Sequence, residues 1–124
     1  MIVLDSSLWI SFFNDDKNAS LVEECLTGKK QVLVPAICIY EIYKIMNRKV
    51  SYKIATNAVA FMESFGAIID IDYQISLIAS KTNAEHKLPM ADSLIYATGV
   101  LNNAEIWTQH SYFENLDNVK FFSS

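Results

Sequence analysis

Two apolar runs constrain this chain most. Ile2-Val3-Leu4 ends abruptly in Asp5, and Val32-Leu33-Val34 ends in Pro35. Each is too short for a stable helix, and neither alternates with polar residues as a strand with one wet face would. Such runs suit strands of a parallel sheet, where helices cover both faces. Helical periodicity fills the space between them. Ser6 or Ser7 can cap a short helix through Leu8, Trp9, Phe12 and Phe13. After the polar loop Asn14 to Asn18, Ser20-Leu21-Val22-Glu23 has the form of a capping box, opening a helix that stops at Gly28. The alternation continues with a helix from Ala36 to about Asn47 and another capped by Ser51 that ends at Gly66. A strand over Ala67 to Ile71 leads to a helix capped by Asp72. A last helix starts near Pro89 and runs to about Leu101, followed by strand Glu105-Ile106-Trp107 and an edge strand from Val119 to Phe122. The pattern predicts one doubly wound α/β domain over residues 1–124.

Composition narrows the class. The chain has 124 residues, 52% hydrophobic and 19% charged, enough to bury a core and too apolar for disorder. No apolar run nears the ~20 residues of a membrane span, and strand-like sequence begins at Ile2 with no basic leader before it. A cytoplasmic location is expected, with Cys25 and Cys38 as reduced, buried thiols. The net charge of −4 argues against broad phosphate-driven nucleic-acid binding. It leaves room for a nucleic acid held through metal ions and a local basic strip. With only three glycines, the chain has no Gly-rich phosphate loop.

Ligands of open α/β sheets bind beyond the carboxyl ends of the strands. Asp5 stands there, after the first strand. Glu41 lies on the helix after the second, and Asp92 in the first turn of the late helix. Together they form a plausible cage for a hard divalent cation. Each also has a plainer reading. Asp5 can be a helix cap, Glu41 can pair with Lys44 or Arg48 on its own helix, and Asp92 suits a helix dipole.

The series Leu4-Asp5-Ser6-Ser7-Leu8-Trp9-Ile10, Tyr40-Glu41-Ile42, Leu88-Pro89-Met90-Ala91-Asp92-Ser93-Leu94-Ile95-Tyr96-Ala97-Thr98 and Ile106-Trp107-Thr108 with Phe113 resembles the PIN domain. It looks most like the short, single-domain VapC-type toxins, over essentially the whole chain. The resemblance implies a three-layer α/β/α domain with a central parallel sheet of four to five strands. It also implies an endoribonuclease dependent on Mg2+ or Mn2+, usually homodimeric, that is the toxin of a toxin–antitoxin pair neutralised by a small antitoxin. Asp5, Glu41 and Asp92 would be catalytic and metal-ligating, with Ser6 and Thr108 supporting the site. One position departs. Where the family usually carries a fourth acid, two residues after the threonine, this chain has His110. Imidazole suits manganese and softer ions better than magnesium, so His110 is a possible ligand, and a plain surface residue is the other reading.

The basic strip lies beside the second acid. Lys44, Arg48, Lys49 and Lys53 are four of the ten basic residues, and no acid falls between Glu41 and Glu63. Lys44 and Arg48 share Glu41's helix face, where they could hold flanking phosphates. Two other readings compete with the nuclease. One is a PIN-like RNA- or protein-binding module, its catalysis weakened with its fourth acid. The other is a receiver-like domain, which would need paired acids after the first strand and a late lysine, neither of which is present.

Overall fold

The computed structural model describes residues 1–124. Five strands form one parallel sheet in the order β3-β2-β1-β4-β5: β1 (Ile2–Leu4), β2 (Val32–Pro35), β3 (Ala67–Ile69), β4 (Glu105–Thr108) and β5 (Val119–Phe121). Six helices connect them: α1 (Ser6–Phe13), α2 (Ala19–Thr27), α3 (Ala36–Lys49), α4 (Tyr52–Phe65), α5 (Tyr73–His86) and α6 (Met90–Leu101). The chain steps from β1 to β2 to β3 in one direction, then returns through α5 and α6 to β4 beside β1. Right-handed crossovers therefore place α1 to α4 on one face and α5 with α6 on the other. The sheet has the expected three layers and five strands.

The continuous apolar runs are explained by burial on both faces: all residues of β1 and β2 are buried. Trp9, Leu4, Leu8, Ile42, Met62, Ile95, Ile106 and Phe113 are the large side chains that fill the core. Gly99 lets α6 approach β4, since a Cβ there would meet Ile106 Cδ1 at 2.6 Å. That close approach fixes the helix that carries Asp92.

Some local expectations differ. α2 begins at Ala19 with Asn18 before it, and no capping box forms at Ser20. The turn closes earlier, with Ala19 N–H donating to the Asp16 carbonyl. Neither Ser6 nor Ser7 caps α1. Asp5 occupies the cap position in extended conformation without a side-chain cap bond, and both serine hydroxyls are committed elsewhere. Ser51 and Asp72 do cap α4 and α5, accepting from Ile54 N–H and Ile75 N–H.

Candidate metal centre

The sheet reverses its winding between β1 and β4, and the crevice at such a switch point is where open α/β sheets bind ligands. β1 delivers Asp5 to this edge and β4 delivers Thr108 and, two residues on, His110. Asp92 comes from the first turn of α6, which packs over β1 and β4. Asp5, Asp92 and His110 each offer a ligand atom within 4.8 Å of one another.

Asp5 is fully buried and tied into the fold through one oxygen. Its Oδ2 accepts from Ser7 Oγ and from Thr108 Oγ1, both at 2.8 Å. Those hydroxyls are fixed in turn: Ser7 Oγ accepts from Gln109 N–H at 3.0 Å and Thr108 Oγ1 from His110 N–H at 2.9 Å. The other oxygen, Oδ1, is buried with no hydrogen-bond partner. Burial pushes the Asp5 carboxyl above its usual range, while His110, Thr108 and Ser7 pull it back. A buried carboxylate oxygen left unpartnered is costly unless something positive meets it.

His110 brings positive charge to the other oxygen, Oδ2, and leaves Oδ1 unmet. Its Nδ1 lies 3.4 Å from Asp5 Oδ2 and 3.5 Å from Asp92 Oδ1. Neither contact has hydrogen-bond geometry, so the attraction is ionic. Contact with the Asp92 carboxylate, followed by the charge on Asp5, raises the imidazole to about 9, against the effect of burial. The plain surface reading of His110 does not hold, because the ring faces two acids.

Glu41 stands one shell out. Its Oε1 accepts from Ser6 Oγ at 2.6 Å, which links it through the chain to Asp5. Burial lifts its carboxyl above the usual range, with the negative charges of Asp5 and Asp92 adding to the rise. Neither Lys44 nor Arg48 pairs with it. Both are exposed, and the Lys44 ammonium instead stands over the Tyr40 ring at 5.6 Å. The sequence gives Ser6 and Ser7 a capping role and Ser6 and Thr108 a supporting one; in the structure all three hydroxyls bond to the acids. Ser7 and Gln109 were missed as site residues. The signal that could have found Ser7 is a second hydroxyl immediately after a strand-end acid.

The donor set suits a hard divalent ion. Carboxylate oxygens predominate, one of them free, and opposite ligands around Mg2+ are ~4.2 Å apart, close to the 4.8 Å span seen here. The residues present fit such a group.

The sequence matches the PIN domain family over residues 2–119. Curated protein sequences give no match. Among solved structures, a toxin–antitoxin complex from Klebsiella pneumoniae superposes with a TM-score of 0.85 at 20% identity, covering all of both chains. VapBC2 from Rickettsia felis, bound to a DNA fragment from its promoter, gives 0.80 at 16% identity, covering 99% of this chain and 98% of that one. VapC20 from Mycobacterium tuberculosis, described as a sarcin–ricin loop cleaving toxin, gives 0.72 at 14% identity and 85% coverage of each chain. At these identities the likeness is one of fold, and it agrees with the sequence match over nearly the whole chain. With its acids gathered at the sheet's switch point, this chain belongs to the PIN domain family.

Proposed function

We propose that this chain is a metal-dependent endoribonuclease and the toxin of a toxin–antitoxin pair. The observation that carries the reading is the buried, unpartnered Asp5 Oδ1 beside Asp92 and His110. Asp5, Asp92 and His110 would hold Mg2+ or Mn2+, with Glu41 reaching it directly or through water. When bound, the ion lowers the pKa of a coordinated water and offsets charge on the scissile phosphate. The chain's own residues do the rest. Ser7 and Thr108 orient Asp5, Ser6 orients Glu41, and Lys44 and Arg48 attract the phosphates on either side. Without a cation, the three acids repel an anionic substrate.

Several solved structures of similar fold are toxin–antitoxin complexes, and one such toxin is described as cutting the sarcin–ricin loop. They support RNA as substrate and a small antitoxin as partner. The groove of about 450 Å³ lined by Phe12, Phe13, Met46, Val50 and Phe61 is apolar enough for an antitoxin helix. Co-expression with a small adjacent reading frame should yield a complex, and Phe61→Glu should lose it. Phe12 and Phe13 are less available for self-pairing, since both rings pack on Phe61. The exposed Tyr73, Leu77 and Met90 on α5 and α6 form a better homodimer face.

The direct test is cleavage of RNA by the purified chain. Cutting is expected with Mn2+, less with Mg2+, and none with EDTA or in Asp5→Asn, which removes ligand charge while keeping shape. The binding-module reading is favoured by one observation, that His110 already neutralises part of the acidic cluster. It replaces the nuclease if wild type and His110→Asp are both folded and inert with every metal.

A further inference from the structure

Resting on the nuclease reading, we propose that Tyr40 and Lys44 form a stacking platform for an unpaired base of the RNA. Tyr40 directly precedes Glu41 on α3, so it lies about 100° round the helix from the acid, and Lys44 is one turn further on. Tyr40 is 58% exposed, whereas Tyr43 is half-buried and packs edge-on against Tyr52. With Lys44 over one face, the exposed remainder of so open a side chain is available to a base. The Lys44 ammonium over the ring is placed to meet a phosphate flanking the stacked base, and it strengthens the platform as a cation over an aromatic face does.

Charge on this part of the surface favours the same occupant. Residues 42–62 carry Lys44, Arg48, Lys49 and Lys53 and no acid, which leaves −8 (−4 less +4) on the rest of the chain. All four bases are exposed on the α3–α4 hairpin. Arg48 follows Glu41 by seven residues, two helical turns, and so continues the stripe away from the acids. A polyanion therefore has an acid-free, attractive path along this hairpin, and Lys44 beside Tyr40 is part of it. Stacking on an aromatic side chain requires a base free of its neighbours, which continuous duplex does not offer.

The test uses Asp5→Asn, folded as judged by melting, with Mn2+ and an RNA oligomer carrying 2-aminopurine. Single-stranded RNA should bind with quenching of the fluorescent base. Adding Tyr40→Leu should weaken binding roughly tenfold or more and abolish the quench, the loss typical of one stacked base. Tyr40→Phe should keep both, and a blunt duplex should be insensitive to either change. In the otherwise wild-type enzyme, Tyr40→Leu should raise KM for single-stranded RNA with kcat nearly unchanged. Unchanged binding in Tyr40→Leu overturns the proposal. So does an equal loss on duplex, a loss in Tyr40→Phe, or a change in oligomeric mass that accounts for the loss. In each of those cases metal-dependent cutting by wild type leaves the nuclease reading standing. If wild type neither binds nor cuts any RNA, that reading falls, and the platform with it.

Discussion

Replacing His110 by Asp exchanges one cation for a fourth anion in the acidic cluster, and the structure sets the size of the effect. His110 Nδ1 lies 3.4 Å and 3.5 Å from carboxylate oxygens of Asp5 and Asp92, so two attractions become two repulsions. At that separation a charge pair is worth ~5 kcal/mol at an effective dielectric of about 20. The imidazole side chain is 43% exposed, and solvent screening reduces each term to about 1 kcal/mol. Proton uptake by one of the acids relieves part of the remainder. The metal-free variant should therefore lose about 2 kcal/mol, lowering Tm by roughly 5–10 °C for a domain of this length.

A divalent ion should reverse the ranking. In wild type the ion competes with the proton on His110, whereas in the variant it meets only carboxylates. Saturation at a hundredfold excess over Kd adds ~2.7 kcal/mol to stability, which would close the gap or invert it. Scanning calorimetry of both proteins at neutral pH, in EDTA and then in excess MgCl2 or MnCl2, reads both effects. The variant should melt lower in EDTA, rise more with either ion, and show faster Mg2+-supported cleavage. Equal melting in EDTA together with equal increments from metal would refute the reasoning, because it would mean that Nδ1 does not face the acids.

Two further outcomes follow from the same geometry and from the exposed surface. In EDTA, urea midpoints of wild type should fall as pH rises through about 9: the protonated imidazole's contribution is complete below its ordinary value near 6.5 and is lost through its raised one. Asp5 and Glu41, also raised, act with the same sign at lower pH, and His110→Asn should remove the alkaline part. Light scattering at micromolar protein should give a dimer mass that Leu77→Lys reduces to a monomer; a monomeric wild type would sink the α5–α6 interface.

The fold was legible because its strands declare themselves. Continuous apolar runs can only be satisfied by cover on both faces, and β1 and β2 are buried throughout. Strand order was less legible, since it depends on which neighbour each strand finds after a crossover. Asp5 and Asp92 meet at one edge for a local reason: Asp5 ends β1, and Asp92 follows Pro89 at a helix start. The capping reading of Ser6 and Ser7 failed for an equally local reason. Ser6 and Ser7 stand where helix caps stand, and the sequence contains nothing of the two long-range partners that recruit them, Glu41 from α3 and Gln109 beyond β4.

His110 shows what a departure from a pattern can mean. As a letter in place of an acid it allowed a ligand, a surface residue or a lost enzyme. In space, its backbone N–H is held by Thr108 and its ring by two carboxylates, so the same residue is joined to the acids by both ends. A positive group fixed against buried anions lowers their mutual repulsion while no metal is bound. If the site takes a divalent ion, that ion must compete with the positive charge already held there. The two-condition melting experiment measures that competition directly.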